Sequence, residues 1–286
     1  MTHVRLDEWI AGGERTRLGG HEIFYRQDGP ADGRPVTLLH GFPTSSHDWA
    51  PILPDLIESG CRVTTLDFLG FGASDKPAGH DYRIVEQASI VEELWQHLGI
   101  SSTALVAHDY GVSVAQELLR RDSARLTAAA FLNGGLYPDL HRPIRTQKLL
   151  YGPAGAVAQY LTTEPLYRKS LRELFGRPVS DADLHDMWRS TTMNGGKRIQ
   201  HSLLRYIDDR RTHGESWVSA LEQYPGPLLF VWGPADPVSG GHVLPRLRER
   251  LPHARLVVLD QSPATGHYPQ VENPAAVASA LTEFLR

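Results

Sequence analysis

Ala104-Leu105-Val106-Ala107-His108-Asp109-Tyr110-Gly111 passes from an apolar, strand-like run straight into a tight turn. Small residues at Ala107 and Gly111 stand on either side of Asp109, and Val112 to Leu119 continues with helical spacing. A sharp strand-to-helix turn of this kind thrusts its central side chain out of the sheet. That position is usually Ser; here it is Asp. A carboxylate nucleophile displaces a leaving group from saturated carbon and forms an ester, so the turn predicts covalent chemistry through Asp109. Capping of the following helix is the structural alternative for the same residue.

Outward from this turn, apolar runs alternate with amphipathic stretches. Glu14 to Arg26 reads as a hairpin turning at Gly19-Gly20, and strands are expected at Pro35–Leu39, Arg62–Leu66, Thr127–Leu132, Pro227–Trp232 and Arg255–Leu259. Helices are expected over Trp49–Ile57, Ile84–Leu98, Val243–Leu251 and Ala275–Leu285. Apolar strands separated by helices predict an α/β fold whose mostly parallel central sheet is covered on both faces. The alternation stops between Gly134 and Tyr224, where helical stretches, prolines and tyrosines appear without a strand. The reading is a core of residues 1–133 and 225–286, with 134–224 inserted as a helical lid that excludes water and shapes a pocket.

The whole chain has 286 residues and a formal net charge of −4 with neutral histidines. No basic footprint points to nucleic acid. Cys61 is the single cysteine, so no internal disulfide is possible. The stretch from Met1 to Ile10 lacks the apolar segment of a signal peptide, and no apolar run is long enough to span a bilayer. The expectation is a cytoplasmic enzyme without membrane contact, either monomer or homodimer. No metal-ligand spacing is evident, and no cofactor is expected.

Two further residues complete the chemistry. Asp236 lies just past the strand ending at Trp232, and His267 lies past the last strand, so both fall on the carboxyl edge of the sheet where ligands bind. A turn role for Asp236 and a surface role for His267 are the alternatives for each alone; their order after Asp109 favours a triad. His40-Gly41-Phe42-Pro43 follows a strand, and the amides of Phe42 and Tyr110 are expected to form an oxyanion hole. The Phe42–Pro43 bond is a candidate for the cis form.

His40 to Pro43, Asp67 to Asp75, His108 to Gly111 and Gly266 to Tyr268 together resemble the α/β-hydrolase superfamily, in the branch of epoxide hydrolases and haloalkane dehalogenases. Asn133-Gly134-Gly135, His141-Arg142-Pro143, Asp186-Met187-Trp188 and His267 to Gln270 make the likeness closest to mesoderm-specific transcript proteins. It runs from about Gly19 to the C-terminus. Animal members of that group carry a hydrophobic N-terminal segment that this sequence lacks, so a membrane location does not carry over.

The resemblance leaves the leaving group to be decided. Haloalkane dehalogenases hold halide with a Trp after the nucleophile, helped by an Asn in the oxyanion loop or a second Trp; here those positions are Tyr110 and Phe42. Phenylalanine donates no conventional hydrogen bond. Fluoroacetate dehalogenases place an Arg where Tyr110 stands. Epoxide hydrolases instead protonate an alkoxide from lid tyrosines, and this lid offers Tyr137, Tyr151, Tyr160, Tyr167 and Tyr206. Tyr206 resembles the family's lid tyrosine in placement, with Tyr160 as the expected partner. Packing is the alternative for every one of these tyrosines. Trp49, Met187 and Trp188 are candidates to line an apolar pocket, with core packing equally open. The expected reaction is hydrolysis of a small apolar epoxide by water through an ester on Asp109. Dehalogenation or other Asp-nucleophile hydrolysis is the alternative, and a ligand receptor on the same fold is the non-enzymatic one.

Overall fold

Runs rich in Val, Leu, Ile and Ala form strands buried on both faces, because only a sheet covered on each side accommodates side chains of both alternations. The computed structural model describes residues 3–286, so the first two residues of the N-terminal stretch lie outside it. Strands β1 (Glu14–Leu18), β2 (His21–Asp28), β3 (Arg34–Leu39), β4 (Cys61–Leu66), β5 (Thr103–Asp109), β6 (Leu126–Gly134), β7 (Leu228–Trp232) and β8 (Arg255–Val258) make one sheet. Its order is β1-β2-β4-β3-β5-β6-β7-β8. The β1–β2 and β2–β4 pairs are antiparallel, and the remaining pairs are parallel.

On the core, the helices are α1 (Leu6–Ala11), α2 (Leu53–Glu58), α3 (Ile84–His97) and α4 (Tyr110–Asp122). Between β6 and β7 run α5 (Arg145–Tyr151), α6 (Gly155–Leu161), α7 (Glu164–Arg172), α8 (Asp181–Thr192), α9 (Gln200–Leu203) and α10 (Tyr206–Glu222). The chain closes with α11 (Leu244–Arg250), α12 (Pro269–Glu272) and α13 (Pro274–Phe284). Period-two alternation divides the core: Leu105, Ala107 and Phe131 pack with residues of α3 and α4. Ala104, Val106, Ala130 and Leu132 pack with α2 and α13 on the other face. No helix among the described residues is long and apolar enough to cross a membrane.

The expected single helix over Trp49–Ile57 is instead a 3-10 turn, Ser46–Trp49, followed by α2. Pro51 and Pro54 supply no amide hydrogens, so the helical ladder cannot run unbroken through them. Helices α1 and α12 escaped the sequence reading, being too short for their period to register.

Helix α10 ties the inserted helices to the two helices that flank β5. Trp217 donates its indole N–H to Glu117 Oε2 on α4 at 2.8 Å, and Asp209 Oδ2 accepts the Ile84 amide at the start of α3 at 2.8 Å. Leu203, Trp217 and Leu221 are buried beneath it, each contributing roughly 2 kcal/mol. These anchors fix the first turn of α10 over the end of β5.

At that end the backbone turns at Asp109 with φ +47°, a left-handed value for a residue bearing a side chain. The turn needs its neighbours to lack side chains. A Cβ on Gly111 would stand 2.4 Å from the Leu39 carbonyl oxygen, and one on Gly41 would stand 2.8 Å from Asp109 Cβ. Gly111→Ala is therefore expected to destabilise the fold by about 2 kcal/mol through overpacking against backbone. A lower urea midpoint checks this; an unchanged midpoint would mean that the elbow has slack.

Candidate active site

Parallel pairing of β5 with β6 places Asp109 opposite Gly134 at the carboxyl edge of the sheet. Asp236 follows β7 and His267 follows β8, so the ends of β5, β7 and β8 deliver three side chains to one edge of the sheet. His267 Nδ1 lies 2.8 Å from Asp236 Oδ2, and His267 Nε2 lies 3.7 Å from Asp109 Oδ1. All three residues are buried, with relative exposures of 3 to 4 %. The order read in the sequence thus becomes a line of carboxylate, imidazole and carboxylate.

The amide of Phe42 donates to Asp109 Oδ2 at 2.9 Å. Tyr110 opens α4, so its amide is among the N-terminal donors that the helix leaves free. The Phe42–Pro43 bond is cis. The side chains of the two residues serve packing: the Tyr110 ring lies 5.3 Å from that of Tyr206, and its hydroxyl points to the Tyr82 carbonyl at 3.5 Å.

Asp236 is held by more than His267. Its Oδ2 also accepts from Ser239 Oγ at 2.7 Å and from Asn133 Nδ2 at 3.0 Å, while Oδ1 accepts the Val238 amide at 2.7 Å. Burial pushes the Asp236 carboxyl up, but the His267 charge and these donors carry it down to about 2. Burial likewise pulls the His267 imidazole down, and Asp236 and Asp109 outweigh it, raising the pKa to about 9. His108 sits behind this pair: its Nε2 meets the His267 carbonyl at 2.8 Å, and Gln270 Nε2 meets its Nδ1 at 3.1 Å. Burial drops His108 to about 4, so it is a neutral prop for the loop carrying His267.

The tyrosines of the inserted helices part company here. Tyr206, the first residue of α10, is fully buried, and its hydroxyl has no hydrogen-bond partner among the described residues. Tyr160 is 55 % exposed on α6, beside Leu161 at 72 %, and is not brought to the site. Its helix turns that face to solvent, which the local sequence did not reveal. Tyr167 instead bonds Thr191 Oγ1 at 2.7 Å, Tyr151 bonds Asp208 at 2.5 Å, and Tyr137 reaches Glu222 at 3.5 Å. Each of these hydroxyls is engaged elsewhere.

The proposed pocket residues fare differently again. Trp49 is fully buried in the core face shared with Val106 and Leu38, so it lines no pocket over Asp109. Its indole packs there in one cluster with Trp9, Phe24 and Leu38. Met187 and Trp188 belong to a third cluster with Tyr167 and Tyr268. That cluster touches the oxyanion loop through Thr191 Oγ1, which donates to the Pro43 carbonyl at 3.1 Å.

Two residues that sequence reasoning passed over lie at the site. Arg210 is 4 % exposed, donates from Nε to Ser113 Oγ at 2.8 Å and from Nη2 to the Asp109 carbonyl at 3.3 Å. Its guanidinium stands 4.5 Å from the centre of the Tyr206 ring. His141 lies in the field of Arg210, Asp109, His267 and Asp236. A charged residue inside an amphipathic helix reads as surface, and a loop histidine carries no periodic signal, so neither was legible. Away from this site, His21, His80 and Glu86 each bring a ligand atom within 4.8 Å of the others. His21 comes from a distant strand, so no spacing joined it to His80 and Glu86; His80 Nε2 already bonds Glu86 Oε2 at 2.7 Å.

Residues 34–274 match the family model described as the alpha/beta hydrolase fold. The mesoderm-specific transcript homolog protein of Bos taurus is 42% identical over 98% of this chain and 88% of its own length. A haloalkane dehalogenase of Mycolicibacterium paratuberculosis is 27% identical over 82% of this chain and 80% of its own. The crystal structure of a loop variant of haloalkane dehalogenase DbeA from Bradyrhizobium elkanii superposes with a TM-score of 0.80 at 23% identity, covering 96% of each chain, a likeness of fold. The chain belongs to the α/β-hydrolase family, with relatives among the mesoderm-specific transcript proteins.

Because Asp236 is a principal cause of the raised His267 value, Asp236→Asn is expected to bring that pKa well below 9. The raised value also has a stability consequence. The pair stabilises the fold fully below the unfolded histidine value of about 6.5 and loses that contribution as pH rises through about 9. Titration of the His267 ring by NMR, with denaturant midpoints across the same window, checks both. An unchanged His267 titration in the variant would show that Asp236 is not the cause.

Proposed function

We propose that this α/β-hydrolase opens an epoxide to a vicinal diol through an ester on Asp109. The observation that carries the reading is the Tyr206 hydroxyl, buried and unpartnered, in the field of the Asp109 carboxylate. Burial raises the Tyr206 pKa and Arg210 pulls against it, so the phenol is neutral and able to donate near pH 7. An opening epoxide needs such a donor, since its oxygen stays attached and becomes an alkoxide.

In the first step Asp109 Oδ1 attacks an epoxide carbon, the C–O bond breaks, and Tyr206 gives its proton to the departing oxygen. Oδ2, resting on the Phe42 amide, is already aligned as the carbonyl oxygen of the resulting ester. Ester formation cancels the Asp109 charge. One of the causes holding His267 protonated thereby disappears, the imidazolium releases its proton to solvent, and the neutral imidazole becomes a competent base; it takes a proton back from solvent when the Asp109 charge returns at the end of the cycle. In the second step His267, oriented by Asp236, takes a proton from water, and the hydroxide adds to the ester carbon. Collapse releases the diol; the two protons of the water end on the departing alkoxide and on Tyr206. Residues 134–224 act as the lid over this reaction, with Tyr206 on its last long helix, and no cofactor enters either step.

Dehalogenation is the second reading, favoured by the dehalogenase relative. Against it, Phe42 has no side-chain donor and the Tyr110 hydroxyl is turned to Tyr82, leaving a halide less well held than an alkoxide served by Tyr206. Aryl and alkyl epoxides assayed beside bromoalkanes, with diol and bromide followed separately, distinguish the two. Bromide without diol would overturn the epoxide reading.

Asp109→Ala is expected to abolish diol formation in a folded protein, and His267→Gln to accumulate an ester seen as added mass on the peptide holding Asp109. A single turnover in 18O-water should give unlabelled diol, because its new oxygen comes from Asp109; label in that first product would rule out the ester. Tyr206→Phe is expected to slow ring opening by roughly 10²-fold or more. A rate within a few-fold of the parent would remove Tyr206 as the donor.

A further inference from the structure

Helix α10 buries a cation without an anion. Arg210 forms no ion pair among the described residues, and its Nη1 is buried with no hydrogen-bond partner. Both ring nitrogens of His141 are likewise buried and unpartnered. Leaving such groups unmet costs free energy, more for a charged group than for a neutral one. One guanidinium nitrogen short of a partner is a curiosity; an arginine and a histidine that are both short of partners and line one space form a pattern.

That space is a cavity of about 230 Å³ between α10 and the loop after β6, walled by Pro138, Pro143 and Ile207 among others, with His141 and Arg210 on it and Lys148 and Arg211 as further cations of its wall. Its wall is largely apolar. Arg210 links it to the elbow, since its Nη2 donates to the backbone carbonyl of Asp109 at 3.3 Å. The guanidinium is clamped in place. The Tyr206 ring lies on one side at 4.5 Å, and the Gly135 backbone approaches so closely that a Cβ there would stand 2.5 Å from Nη1. Burial and the Arg210 charge lower the His141 pKa to about 4, so its neutral ring offers one N–H and adds no second charge.

We infer that Arg210 and His141 form an anion subsite beside Asp109, and that the substrate is an epoxide bearing a carboxylate. A planar carboxylate matches the donor fork of a fixed guanidinium, supplies the absent counter-charge, and leaves an oxygen for the His141 N–H. The apolar walls receive the carbon skeleton. The inference rests on the epoxide reading for the reacting group, but the anion subsite stands on its own residues.

The test compares trans-3-phenylglycidate with its neutral primary amide as substrates of the parent, Arg210→Met, Arg210→Lys and His141→Leu. For the parent, kcat/KM is expected to favour the acid by at least about 10-fold, the worth of a charge-assisted hydrogen bond. The acid-over-amide ratio should fall towards one in Arg210→Met and to an intermediate value in Arg210→Lys and His141→Leu, with thermal melts reporting which variants fold. In parallel, unreactive 3-phenylpropanoate and its amide are titrated calorimetrically into the same proteins. Acid binding that depends on Arg210, with neither epoxide turned over, would overturn the epoxide reading and keep the anion subsite. Equal handling of acid and amide by the parent, or a ratio in folded Arg210→Met unchanged from the parent, would overturn the subsite and leave Arg210 as a support for the elbow.

Discussion

A buried imidazole between two buried carboxylates is the constraint around which the rest of the molecule is arranged. His267 stands 2.8 Å from Asp236 and 3.7 Å from Asp109, and no water-like dielectric softens the charges. Such a line survives only when every remaining lone pair is met. The structure meets them with ordinary backbone and side-chain donors: Val238, Ser239 and Asn133 on Asp236, and Phe42 on Asp109. Asn133 also accepts the Gly233 amide at 2.6 Å, so the end of β6 fixes the loop after β7. The carboxylate that orients the imidazole is therefore positioned by the sheet itself and not by the loop alone.

The inserted helices hold the core at more than one place: α10 on α3 and α4, and Thr191 of α8 on the Pro43 carbonyl. Helix α10 is bolted to α3 and α4 by Asp209, Arg210 and Trp217, and its first turn carries the Tyr206 phenol into the field of Asp109. Helices α5 to α7 differ in character, exposing Leu149, Val157, Leu161 and Leu166. The insertion thus has a fixed rear wall joined to the core and an outer part with looser burial. Chemistry placed on α10 inherits the rigidity of the sheet.

What could be read from the sequence follows from this division. Parallel strands buried on both faces are continuous apolar runs, and strand ends in an open sheet share one edge, so Asp109, Asp236 and His267 were legible from local pattern and order. Tyr206 and Tyr160 looked alike as tyrosines in helical segments; only packing shows that one is enclosed and the other is on a solvent face. Trp49 was misplaced for the same reason. Arg210 and His141 were invisible because their meaning lies in having no partner, a property of the assembled interior and not of any stretch of chain.

Asp109 adopts φ +47° where almost any other backbone setting would be easier for a residue with a Cβ. Such a conformation costs of order 1–3 kcal/mol, and glycine alone is free of it. Thermal endurance and reactivity consequently pull in opposite directions at one residue. Laboratory selection for heat resistance alone would be drawn to glycine at this position, and would yield a sturdier protein stripped of the carboxylate through which the proposed reaction runs.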